Sequence, residues 1–174
     1  MAERYDGTYS TGSLYGIISR EDLASHVLKG FADDSMFSIE TPNQRFTGYD
    51  SADGNHSRAH TPINRKDVTC TLAQTSSSND ILTGLLNDDA RTLRGTFNFS
   101  LMDKSGRFFL RSNDCYIQSD GDNDFSTEIE GREWVIVMPF VEDFMIGGNG
   151  YLSAEEITLL NALGVAVDPR WVRG

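Results

Sequence analysis

His56 and His60 stand four residues apart, the spacing that on a helix presents two imidazoles to one metal ion. Their neighbours Gly54, Asn55, Ser57 and Pro62 argue for a loop instead, and no cysteine or glutamate supports them, so an exposed or interface histidine pair is expected. Asp120, Asp122 and Asp124 begin like a calcium loop, with carboxylates at its first, third and fifth places. The pattern then fails, because Phe125 fills the sixth place, where glycine makes the turn, and Gly131 the twelfth, where a bidentate glutamate belongs. Cys70 and Cys115 each lie in a strand-like run without metal-ligand spacing and read as buried free thiols. The sequence has no phosphate-cradling glycine loop, no Gly-x-Ser-x-Gly elbow and no cysteine next to a base. The carboxylate pairs Asp33–Asp34, Asp88–Asp89 and Glu155–Glu156 fall at turns and helix starts, where they have structural reasons to be. No catalytic centre, metal or cofactor is expected.

The totals bound what these residues serve. A chain of 174 residues builds one domain with a proper core, and 39% hydrophobic with 10% aromatic content argues against disorder. The formal net charge of -11 speaks against direct binding of a nucleic-acid backbone, whose affinity comes from clustered Lys and Arg. The same charge suits a surface that nucleic acid passes without sticking. No apolar run reaches membrane-spanning length, and the first six residues lack the layout of a secretion signal, so a cytoplasmic start and no membrane partner are expected.

The elements that must position these side chains centre on residues 66–86. Val68, Cys70 and Leu72 alternate with polar residues, which predicts a strand with one buried face; Ile81, Leu82, Leu85 and Leu86 then share one arc of a short helix. Ser76, Ser77 or Ser78 could cap it, Ser77 pairing with Asp80 in a capping-box-like arrangement. Upstream, residues 1–18 show neither period and read as an arm. Residues 22–28 and 36–40 suit strands joined through Gly30 and the two aspartates, with a helix from Ser19 as the alternative for the first. Residues 41–65 form a long, partly extended excursion with a turn near Asp53–Gly54 and apolar points at Phe46, Tyr49 and Ile63; a loop of this length usually meets a partner.

Downstream, Phe97, Phe99 and Leu101 alternate, Asp103-Lys104-Ser105-Gly106 fits a tight turn, and residues 107–118 return as a second strand, interrupted near residues 112–114. Residues 125–130 suit a short edge strand, and 133–141 a strand buried on both faces. Ser153 and Glu156 form a capping box opening a last short amphipathic helix, stopped by Gly164, and Trp171 near the end suits an anchor in something else. Three parts result: an arm over 1–18, a β domain over 19–150 and an extension over 151–174.

In this order the features resemble the tail tube proteins of bacteriophages with contractile tails. The resemblance rests on Lys29-Gly30-Phe31-Ala32-Asp33-Asp34 before a strand, Arg45-Phe46-Thr47-Gly48, Ala52-Asp53-Gly54, Leu72-Ala73-Gln74-Thr75-Ser76 entering the helix, the phenylalanine hairpin and Glu133-Trp134. It covers residues 22–149 and leaves the extension unmatched. It implies a β-sandwich or barrel with one flanking helix, here followed by the short C-terminal one. It also implies six copies in a ring, and rings stacked into a tube whose negatively charged bore lets DNA leave the capsid without specific binding. Residues 41–65 would then be the stacking and inter-subunit hairpin, with Phe46, Tyr49, Asp53, His56, His60 and Trp171 as candidate interface residues. Sheath, baseplate and tail terminator proteins would be partners, and the virion tail, assembled in the host cytoplasm, the location. Rival expectations are the tube of a phage-like injection machine, a carbohydrate-binding baseplate or adhesin module with Trp134, Tyr116 and Phe109 lining a groove, and a hydrolase built on His26, His56 or His60.

Overall fold

A computed structural model describes residues 6–33 and 36–173; the first five residues of the expected arm and Asp34 of the expected turn lie outside the described residues. Along the chain come β1 (Leu14–Arg20), β2 (Leu23–Val27), β3 (Phe37–Glu40), β4 (Phe46–Asp50), β5 (His56–His60), β6 (Lys66–Ala73), α1 (Ser78–Thr92), β7 (Phe97–Asp103), β8 (Phe109–Ser119), β9 (Gly131–Met138), β10 (Val141–Met145) and α2 (Ala154–Ala162). The protein is mainly β, with antiparallel pairing throughout its sheets. The main sheet runs β2-β1-β7-β8-β9-β6-β3, and β10 also pairs β8.

Strand β8 organises this sheet. Its first half lies between β7 and β10, and its second half pairs β9, so β9 and β10 are one bent run alongside it. The bend falls between Met138 and Val141, across from Asn113 and Asp114, the two residues that oppose Asn98 in a bulge where Asp114 takes φ +57°. The two ends of the sheet, β2 and β3, follow each other in the chain, and the link between them bonds to both sides. Leu28 N–H donates to Gly16 of β1 at 2.8 Å, while Ala73 and Thr71 of β6 bond to Gly30 (2.7 Å) and Ala32 (3.1 Å). The sheet therefore curls back on itself around one core of Ile18, Leu28, Val68, Leu72, Phe99, Leu101, Leu110, Ile136 and Met138, covered by Leu82 and Leu85 of α1.

Several expectations are met from the residues upward. Val68, Cys70 and Leu72 are fully buried along β6, Phe97, Phe99 and Leu101 line the inner face of β7, and both cysteines are free and buried. Other expectations need correction. The arm ends at residue 13, since Leu14 begins β1, a strand that pairs β7 over six residues. Residues 125–130 form no strand: the Ser126 hydroxyl accepts from Glu128 N–H and donates to the Glu130 carboxylate, and these local bonds replace a ladder. Of the two readings for residues 19–28, the strand holds, as β2, and the helix does not form.

The first helix spans 15 residues, and its Ser77 makes no side-chain cap. Ser76 and Ser78 instead fasten the helix start to the β2–β3 link. Ser76 Oγ donates to the Lys29 carbonyl, Ser78 Oγ accepts from Lys29 N–H at 3.1 Å, and His26 Nε2 lies 2.8 Å from the same Ser78 oxygen. Gly30, at φ +72°, passes so close that a Cβ there would sit 2.8 Å from Ser76 Cβ. At the other end, the Ser153–Glu156 capping box forms as expected, yet no residue of α2 is buried.

Candidate subunit interface

Strands β4 and β5 form a two-stranded ribbon separate from the main sheet, in register from Phe46↔His60 to Asp50↔His56. Every residue of both strands is exposed. The expected turn is present: Gly54 takes φ +87°, Ser51 N–H bonds Asn55 O at 2.8 Å, and Asp53 accepts from the Asn55 amide at 2.8 Å. His56 Nδ1 lies 2.5 Å from Asp50, His60 lies 5.1 Å from the Phe46 ring, and the Arg58 guanidinium covers that ring at 4.6 Å. Tyr49 is 68% exposed. The ribbon thus brings Phe46, Tyr49, Asp53, His56 and His60 together, whereas Trp171 lies on the extension. There Arg107 and Arg170 flank its ring at 5.2 and 5.1 Å, and its carbonyl accepts from Leu152 N–H at 2.8 Å.

The root of the ribbon adjoins β10. Arg45 and Lys66 lie over the Phe144 ring at 5.4 and 5.9 Å, and the Asn64 amide bonds both the N–H and the carbonyl of Val141, as a neighbouring strand would. Sequence reasoning missed this surface, because residues 133–141 read as one strand buried on both faces. Trp134, Ile136, Val137, Met138 and Val141 are buried, but Phe140 is 68% exposed, and Phe144 and Ile146 beyond it are exposed too. Pro139 was the available signal, since a residue without an N–H breaks a ladder.

Burial pushes the thiols of Cys70 and Cys115 up to about 12 and about 11, far from a reactive thiolate. Ser78 is completely buried, so its bond to His26 fixes structure; burial, and then Lys29, hold the His26 imidazole below its usual range. Desolvation pulls Asp103 upward, but bonds from Ser105 and Asn149 outweigh it and hold the carboxyl low, stiffening the β7–β8 turn. No group of three or more potential metal ligands occurs among the described residues. The aromatic groove expected for a sugar does not form: Trp134 is 5% exposed with its Nε1 donating to Asn79 at 3.0 Å, and Phe109 and Tyr116 lie in different halves of β8.

No family model matches the chain. It is 39% identical over 150 residues to "Structural protein ORF10" of Pseudomonas phage KPP10, a match that spans 85% of this chain and 86% of that protein.

Proposed function

The chain belongs to this family of phage structural proteins, and we propose that within the virion it is the subunit of a contractile-type tail tube. The observation that carries this reading is the β4–β5 ribbon. A two-stranded hairpin is marginal in water by itself, and this one buries no side chain of its own while presenting Phe46 and Tyr49 outward. A second molecule laid against the ribbon would bury those rings.

Six copies in a ring would set each ribbon against a neighbour, at the position where the resemblance places an inter-subunit hairpin. The outer edge of β10, free of any strand partner among the described residues, is a second point for joining copies. Stacked rings of a chain carrying a net charge of -11 enclose an anionic bore, which repels the DNA phosphates and lets the duplex slide. Sheath, baseplate and terminator proteins would meet the outside and the ends, in a tail assembled in the host cytoplasm. The role requires no catalysis.

Negative-stain microscopy of the purified protein tests this, with rings or tubes expected. Phe46→Ala with Tyr49→Ala should abolish them while leaving the fold intact, since both side chains are exposed. A strictly monomeric mass by light scattering across salt and protein concentration would refute the assignment.

A further inference from the structure

The C-terminal extension encloses a groove of 590 Å³ against the β7–β8 turn and β10. Its walls are apolar, from Phe109, Phe144, Leu160, Val165 and Trp171, and a volume in the range of about 300–1,000 Å³ takes a drug-sized ligand or a pair of side chains. Three cations, Lys104, Arg107 and Arg170, also line it. The two acids among the lining residues are engaged within the chain. Asp103 is 7% exposed and bonded to Ser105 and Asn149, and Asp168 caps the backbone of Arg170 and pairs with its side chain. Arg170 is the partner of Asp168, so the lining sets three cations against two carboxylates and is an apolar hollow with a small positive balance, in a protein with a surplus of eleven negative charges.

Residues 119–131 have the opposite character. They hold five carboxylates, Asp120, Asp122, Asp124, Glu128 and Glu130, and no cation. Phe125 is 80% and Ile129 69% exposed; Arg132 covers one face of the Phe125 ring at 4.8 Å and leaves the rest in water. Two large apolar side chains held out among five carboxylates match an apolar hollow rimmed by cations.

The same molecule cannot join them. The groove is built on Phe108 and Phe109 where β8 begins, and the acidic loop leaves β8 after Ser119. Eleven strand residues at about 3.3 Å each separate the two by roughly 35 Å. We propose that the groove receives the Phe125–Ile129 loop of a second copy of this chain, with Phe125 and Ile129 entering the hollow and the carboxylates meeting Lys104, Arg107 and Arg170. Such a contact is heterologous: each copy offers a loop and a groove, so copies add head to tail until a ring closes or a filament grows. The inference deepens the tube reading and rests on it for the number of copies. It also gives the extension a task, walling the groove.

Mixing two variants tests it. Phe125→Ser with Ile129→Ser disables the loop, and Ala166→Trp fills the groove from an exposed position on its lining. Circular dichroism verifies that both fold; should Ala166→Trp unfold, Lys104→Glu with Arg170→Glu replaces it. Each variant alone is expected to sediment as a monomer at concentrations where the unaltered protein assembles. Their equimolar mixture should give a two-chain species that grows no further, since one good loop then meets one good groove. Assembly of either variant like the unaltered protein, or a mixture of folded variants that stays monomeric, overturns the proposal. Rings that persist in both variants would sink this contact and keep the tube. Open filaments abolished by the variants would keep the contact and sink the tube.

Discussion

Gly30→Ala should be the most damaging single-methyl change in the β2–β3 link. At φ +72° an alanine is held in the left-handed region, which costs about 1–2 kcal/mol. Its Cβ would also stand 2.8 Å from Ser76 Cβ and 2.9 Å from Ser76 Oγ. Ser76 cannot retreat freely, because its hydroxyl holds the Lys29 carbonyl and accepts from Ser78 N–H at 3.2 Å. Losing one such bond costs about 1 kcal/mol, and overpacking of this kind about 1–3 kcal/mol. A total near 3–4 kcal/mol follows, allowing for overlap between the last two. Gly54→Ala is the control: φ is +87°, but nothing lies within 4 Å of the added methyl, so only the backbone cost of about 1–2 kcal/mol applies, and only to the ribbon. Thermal unfolding, followed by circular dichroism, compares the two. At about 2–4 °C per kcal/mol for a chain of this size, the first variant should melt roughly 6–16 °C below the parent. If Gly30→Ala proves no more harmful than Gly54→Ala, the reasoning about the Ser76 clasp is wrong.

His26 sets a second expectation. Its imidazole is held below the ordinary value of about 6.5, so between the two values the unfolded chain binds more protons than the native one. Its contribution is therefore complete above pH 6.5 and is lost as pH falls through the native value; His26→Gln should flatten the melting temperature between pH 7.5 and 5.5, and an unchanged slope would contradict this. The carboxyls of Asp22 and Asp88, held low chiefly by bonds from Arg20, contribute in the same direction but only at more acid pH. For the thiols, values of about 12 and about 11 against an ordinary 9.0 leave roughly a thousandfold and a hundredfold less thiolate at neutral pH. Native protein should thus resist iodoacetamide at both Cys70 and Cys115, and denatured protein should label fully. Rapid native labelling of either by mass spectrometry would refute their burial.

Elements that alternate cleanly were legible from the chain: β6 from Val68, Cys70 and Leu72, β7 from its phenylalanines, and the ribbon turn from Asp53–Gly54. The missed elements share a cause, which is that a partner elsewhere in sequence decides them. In β1 the inward position between Leu14 and Ile18 is Gly16, and a Cβ there would lie 2.8 Å from the Phe37 ring. An aromatic ring from β3 thus fills the place of the missing side chain, and the period disappears from the local sequence. In β10, the apolar run of residues 133–141 hides a change of neighbours, since β9 is flanked by β8 and β6 while β10 pairs with β8. Turn chemistry located Asp53–Gly54, but the glycine- and proline-rich neighbours of His56 and His60 read as loop where β5 forms, and the cluster of Arg107 and Arg170 around Trp171 needs chain folding to be seen.

Because no side chain of the β4–β5 ribbon is buried, the main sheet and its core gain little from the identity of residues 46–60, and that stretch can be rewritten at little expense to the body that carries it. Selection for whom the protein touches and selection for whether it folds therefore act on different residues. Related chains should keep Phe99, Leu110 and Ile136 for the fold, while the ribbon changes only in step with the surface it meets.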